Sequence, residues 1–121
     1  MQEFNYFNIR KKAMTTKGIE NYDGIILGYY PLRGKIQICR LLCEYLHVGY
    51  KDLLFTPQTW EEFKATQNIN WNYQELPFLK EKDFVVTETF PICLYIIQKA
   101  NRKDLLGRSP FDEAKVDMFI W

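Results

Sequence analysis

From Gly24 onward two hydrophobic rhythms alternate along the chain. Ile25-Ile26-Leu27, held between Gly24 and Gly28, is a short aliphatic run of the kind that fills a buried strand. Past Gly34 the spacing lengthens. Ile36, Cys39, Leu42, Cys43 and Leu46 recur every three or four residues, with Lys35, Gln37, Arg40 and Glu44 between them. This predicts an amphipathic helix over 34–46 that turns those four polar side chains to water. Gly49 reads as its stop. Tyr50-Lys51-Asp52-Leu53-Leu54-Phe55 predicts a second strand, and a short helix around Trp60-Glu61-Glu62-Phe63-Lys64 follows Pro57. A polar, irregular stretch then runs from Thr66 to Pro77.

Phe78-Leu79 and Phe84-Val85-Val86-Thr87, separated by Lys80-Glu81-Lys82-Asp83, predict a hairpin. A helix follows at once, with Thr89 as N-cap, Pro91 tolerated in the first turn, and Ile92, Cys93, Tyr95, Ile96 and Lys99 continuing the pattern. The order β-α-β-α-β-β-α implies an α/β fold with a mixed four-stranded sheet and helices on both faces. After Gly107, Ser109-Pro110-Phe111-Asp112-Glu113 begins one more helix, acidic in its first turn, that runs to Trp121. Residues 1–23 mix polar and aromatic positions without a sustained period. They read as an N-terminal extension, ahead of a domain over 24–107 and a first-helix stub of a further helical domain over 108–121.

Composition narrows the function. A length of 121 residues suits one domain, and 47% hydrophobic content supplies its core. With 16 Lys+Arg against 15 Asp+Glu the chain has no basic field to gather phosphates, so no nucleic-acid partner is expected. The run Pro91–Ile97 is far shorter than the ~20 residues of a membrane span. Cys39, Cys43 and Cys93 form an odd set without a C-x-x-C pair, and Cys39 and Cys43 read as small apolar side chains of one helix face. A single histidine, His47, placed near a helix C-terminus, builds no metal site with them and is assigned no chemistry. Reduced, cytoplasmic surroundings are expected, with mitochondria as the alternative; Glu3, Glu20 and Asp23 dilute the basic character of a transit peptide.

Particular residues go further than topology. Gly28-Tyr29-Tyr30-Pro31-Leu32-Arg33-Gly34 with Arg40-Leu41-Leu42 and Glu44-Tyr45, then Leu76-Pro77-Phe78-Leu79, then Val86-Thr87-Glu88-Thr89 with Ile92, Tyr95 and Ile96, come in order over about residues 25 to 118. Together they resemble the tyrosine-type glutathione S-transferases, most closely the mu class. The resemblance implies a thioredoxin-like fold, glutathione as substrate or ligand, and no metal. It places Tyr29 as the tyrosine whose hydroxyl stabilises the glutathione thiolate. A thiol of pKa near 8.5 is mostly protonated at neutral pH, and a hydrogen-bond donor favours its charged form. Tyr30 takes the next position, where mu enzymes have Trp, as a glutathione contact or a packing side chain.

Pro77 resembles the superfamily's cis-proline, which would present the Leu76 backbone N–H and C=O to the cysteinyl part of glutathione. Glu88-Thr89 resembles the Gln-Ser pair that holds the γ-glutamyl group. The hydroxyl of Thr89 at a helix N-terminus suits a carboxylate, whereas the added charge of Glu88 either opposes that carboxylate or pairs with the neighbouring ammonium. Trp60 and Lys64 share the spacing of a Trp and Lys that meet the glycyl end. No cysteine stands near Tyr29-Tyr30-Pro31, which argues against thioredoxin or glutaredoxin chemistry.

Two functions fit these residues. One is the glutathione-binding half of a transferase, the thiol being activated for attack on an electrophile. The other is a non-catalytic accessory or structural subunit of a larger assembly. The apolar residues Val116, Met118, Phe119, Ile120 and Trp121 imply a protein partner covering residues 111–121 and reaching the N-terminal extension.

Overall fold

The computed structural model of the chain describes residues 13–14, 16–66, 71 and 74–120. The central strand is the aliphatic run that follows Gly24. This strand, β2 (Ile25–Tyr29), is preceded by a two-residue strand β1 (Ala13–Met14) and a 3-10 turn over Thr16–Asn21. A second 3-10 turn, Gly34–Ile36, leads into α1 (Gln37–Tyr45), followed by β3 (Tyr50–Leu54) and α2 (Pro57–Thr66). The hairpin is β4 (Phe78–Glu81) and β5 (Phe84–Thr87), and α3 (Thr89–Lys99), a 3-10 turn at Lys103–Leu106 and α4 (Pro110–Ile120) complete the order. The sheet runs β1-β3-β2-β4-β5. β2 pairs parallel with β3 and antiparallel with β4, and β1 adds to the β3 edge in parallel.

The four strands expected from the pattern are present in a mixed sheet, as the thioredoxin-like reading requires. The fifth belongs to residues read as an extension. Ala13 and Met14 pair with Asp52 and Leu53, and Ile19 is buried with the core. Two residues of strand and one turn are too short to print a period, so this docking left no pattern to read. Residues 1–12 of the expected extension lie outside the described residues, as do 67–70 and 72–73 of the irregular stretch and the closing Trp121.

Alternation along β2 divides the core. Ile25 and Leu27 point to one face, where Ile36, Cys39 and Cys43 of the first helical segment and Ile92, Cys93 and Ile96 of α3 cover them. Ile26 points to the other face and meets Phe55, Trp60, Phe63, Phe78 and Ile19. A strand buried on both sides needs a continuous hydrophobic run, which is what Ile25-Ile26-Leu27 is. Gly28 completes it for a steric reason: a Cβ there would fall 2.2 Å from the Phe78 ring.

Three details differ from the sequence reading. Thr89 is the first helical residue of α3 and Glu88 is its N-cap, without a side-chain capping bond. The α1 helix ends before Gly49: Val48 N–H reaches the Cys43 carbonyl at 2.9 Å across His47, whose φ is 56°. Arg40, assigned to the polar face, is fully buried, its Nε donating to Asp52 Oδ1 at 2.9 Å. A charge is tolerated inside when its partner comes with it, and Asp52 on β3 is that partner.

Candidate functional site

The C-terminal end of β2 and the chain that follows it form the first wall. Arg40 Nη1 donates to the Leu32 carbonyl at 2.7 Å, so the buried Arg40–Asp52 pair also pins the Tyr30–Gly34 loop. Leu32 N–H returns to the Tyr30 carbonyl at 2.7 Å, making a tight turn about Pro31, and Gly34 supplies a φ of 39° at the loop's end. That turn brings the backbone against Tyr29. Lys35 N–H donates to the Tyr29 hydroxyl oxygen at 3.4 Å, and a Cβ on Gly34 would sit 2.7 Å from the same oxygen.

The second wall is the start of α3. The Thr89 hydroxyl donates to the Lys35 carbonyl at 2.9 Å. The backbone of one residue, Lys35, therefore ties Tyr29 through its N–H and Thr89 through its C=O. Glu88 holds φ 76° and ψ 139°, a conformation rare outside glycine, of a kind that costs about 1–3 kcal/mol and gathers at functional sites. Its side chain is exposed, on the rim of a groove of about 910 Å³ that also takes in Lys35, Thr89, Phe90 and Cys93.

Sheet register supplies the third wall. Phe78 pairs with Gly28 on one side and Thr87 on the other. Continuing both ladders by one residue sets Pro77 between Tyr29 and Glu88, with Leu76 beyond it. Pro77 is buried, Leu76 is half-buried and the bond between them is cis. Tyr29, Leu76, Pro77, Glu88 and Thr89 thus meet at one end of the sheet.

The remaining candidates stand apart. Tyr29 packs with the α1–α3 core, whereas Tyr30, its ring 5.4 Å away, joins the opposite core beneath α2. Trp60 keeps only 6% of its surface and lies against Phe55, Phe63, Trp71 and Phe78, with ring centroids 5.1–6.1 Å apart. The structure shows it packed within this aromatic cluster. Lys64 stands on α2, on that same opposite face, with its Nζ 5.4 Å from the Trp60 ring centroid and 2.9 Å from Glu61. Sequence reasoning passed over the Lys35 backbone and the Arg40 anchor. Asp52, the one acid in an otherwise apolar inward phase of β3, was the available signal for the latter.

Tyr29 can act as a donor. Its oxygen already accepts the Lys35 N–H, and among the described residues its own hydrogen meets no acceptor. A negatively charged sulfur set at this end of the sheet would supply one. No cluster of His, Cys, Asp or Glu among the described residues could hold a metal ion, and no helix among them is long and apolar enough to cross a membrane.

No protein-family model matches the chain. A class-mu 26 kDa glutathione S-transferase of Schistosoma japonicum is 30% identical over 94 residues, which cover 77% of this chain and 42% of that protein. Glutathione S-transferase Mu 1 of Homo sapiens is 28% identical over 100 residues, covering 78% and 44%. Among solved structures, a Nu-class transferase from Haemonchus contortus superposes with a TM-score of 0.65 at 25% identity, over 79% of this chain and 44% of its own. The rat hPGDS complexed with a quinoline gives a TM-score of 0.66 at 23% identity, covering 79% and 45%, a likeness of fold. The fold is thus thioredoxin-like, and the chain is similar to glutathione S-transferases. Its relatives include the mu class, and the chain spans under half the length of each of them.

Proposed function

We propose that this chain binds glutathione at the Tyr29 end of the sheet and holds its sulfur as a thiolate for conjugation to an electrophile. The observation that carries this reading is the Lys35 backbone, which ties the Tyr29 hydroxyl of the first wall to Thr89 of the second and leaves the Tyr29 hydrogen without an acceptor among the described residues. In this arrangement the glutathione sulfur accepts from Tyr29. The cysteinyl backbone pairs with Leu76 in the manner of an added strand. The γ-glutamyl carboxylate lies against the α3 N-terminus at Thr89, where first-turn N–H groups lack helical partners, and its ammonium faces Glu88. Lys64 serves the glycyl carboxylate, with Trp60 supporting it from below. The nucleophile belongs to the substrate, so the protein's contribution is orientation and sulfur electrostatics.

Calorimetric titration with glutathione tests the reading: saturable heat is expected from the wild type, and its absence overturns binding. Under the same reading, Thr89→Ala removes the hydroxyl that holds the Lys35 carbonyl and should weaken binding by about 0.5–1.5 kcal/mol, the net worth of a neutral hydrogen bond; an unchanged dissociation constant would remove that tie from the site.

A second reading has one observation of its own. Phe111, Met118 and Phe119 of α4 are 81%, 65% and 83% exposed, a face suited to a protein neighbour in an accessory or structural subunit. Migration of the native protein within a larger assembly, together with no heat on glutathione titration, would favour it.

A further inference from the structure

We propose that Cys39 and Cys93 form a reversible disulfide that joins α1 to α3 behind the candidate site. In the structure all three cysteines are thiols, and the Sγ atoms of Cys39 and Cys93 lie 3.7 Å apart although 54 residues separate them in sequence. A disulfide needs about 2.0 Å between sulfurs. Cys39 is sealed in the core, while Cys93 lines the groove that opens beside Glu88 and Thr89. A small oxidant entering the groove therefore meets Cys93 first, with a second sulfur waiting behind it. The hydrogen bond between the sulfurs, with burial adding to it, pushes the Cys39 thiol up, and the same bond draws Cys93 down. The thiolate of the pair thus forms on the sulfur nearer the groove, as a peroxide-sensing cysteine requires.

Hydrogen peroxide balances the reaction. The Cys93 thiolate attacks one peroxide oxygen, the O–O bond breaks, and the departing hydroxide takes up a proton as water, leaving Cys93 as a sulfenic acid. The Cys39 sulfur then attacks that sulfur, the S–S bond forms, the S–O bond breaks, and the hydroxyl leaves with the Cys39 proton as a second water. Two electrons pass from the sulfurs to the peroxide. Closure has a structural consequence, because the Thr89 carbonyl oxygen, also 3.7 Å from Cys39 Sγ, is the alternative acceptor for the one Cys39 thiol hydrogen. Loss of that hydrogen removes a contact at the first residue of α3.

The whole folded chain, treated with equimolar hydrogen peroxide, then unfolded, alkylated and mass-analysed without reductant, decides the matter. The expected result is a loss of two hydrogens, one alkyl group on Cys43, a linked Cys39–Cys93 peptide, and three alkylated cysteines after dithiothreitol. Three alkylated cysteines without reductant, a link through Cys43, or Cys93 carried on to sulfinic acid without a link would each overturn the proposal. The readout is a mass, so it stands or falls independently of glutathione binding.

Discussion

A methyl group on Gly28 would lie 2.2 Å from a Phe78 ring carbon, well inside contact distance. Phe78 sits among Phe55, Trp60, Phe63 and Trp71 and has little room to yield. Gly28→Ala should therefore cost about 1–3 kcal/mol, seen as a lower urea midpoint at unchanged slope. The buried Arg40–Asp52 pair is a second single-residue test. Asp52→Leu leaves Arg40 without its carboxylate and should cost about 3–5 kcal/mol, while Arg40→Met combined with Asp52→Leu should recover most of it. Full additivity of the two losses would contradict the coupling. Legibility at this scale was uneven. Gly28 and Tyr29 were readable because a motif surrounds them, whereas Arg40 obeyed the helical polar phase and only its partner on another element explains its burial. The part played by Lys35 was invisible for a different reason: it lies in backbone atoms, which every residue carries.

Helix ends and the hairpin show what the elements add. Both α1 and α3 close with the same pair of backbone bonds. Val48 N–H reaches Cys43 and His47 N–H reaches Glu44; Arg102 N–H reaches Ile97 and Asn101 N–H reaches Gln98. His47 and Asn101 take the left-handed position, φ 56° and 57°, where glycine is usual. Looking for glycine misdirected the sequence reading to Gly49, two residues late. Exposed His47→Gly should raise stability by up to about 1 kcal/mol, since left-handed strain is relieved against the extra freedom glycine gains when unfolded; a lower denaturation midpoint would contradict this cap.

The hairpin is clamped to α3 by Glu81, which accepts from both Tyr95 and Lys99. Burial and the Glu81 bond push the Tyr95 phenol up from the usual 10 to about 12. A group whose folded pKa is raised stabilises below its unfolded pKa and loses that contribution as pH climbs. Between pH 10 and about 12 the wild type should therefore lose stability more steeply than Tyr95→Phe, by comparison of urea midpoints. Parallel curves would show the clamp to be energetically silent.

At the scale of the molecule, the order β-α-β-α-β-β-α and the two-sided core followed from hydrophobic period alone, because a thioredoxin-like unit packs regular elements around one doubly buried strand. The docking of Ala13, Met14 and Ile19 did not, being a matter of one edge and one buried side chain. The site is a property of this whole arrangement. Tyr29, Leu76–Pro77 and Glu88–Thr89 come from three stretches of chain that only the sheet register brings to one end. The proposed role of the Tyr29 hydroxyl is to stabilise a bound thiolate, and the pH titration of the thiolate absorbance of protein-bound glutathione tests it most directly. The wild type should hold the thiol about 1–2 units below the usual 8.5, the equivalent of one hydrogen bond to a charged sulfur, and Tyr29→Phe should return it to that value. Bound glutathione that titrates at the same pH in both proteins would contradict the account.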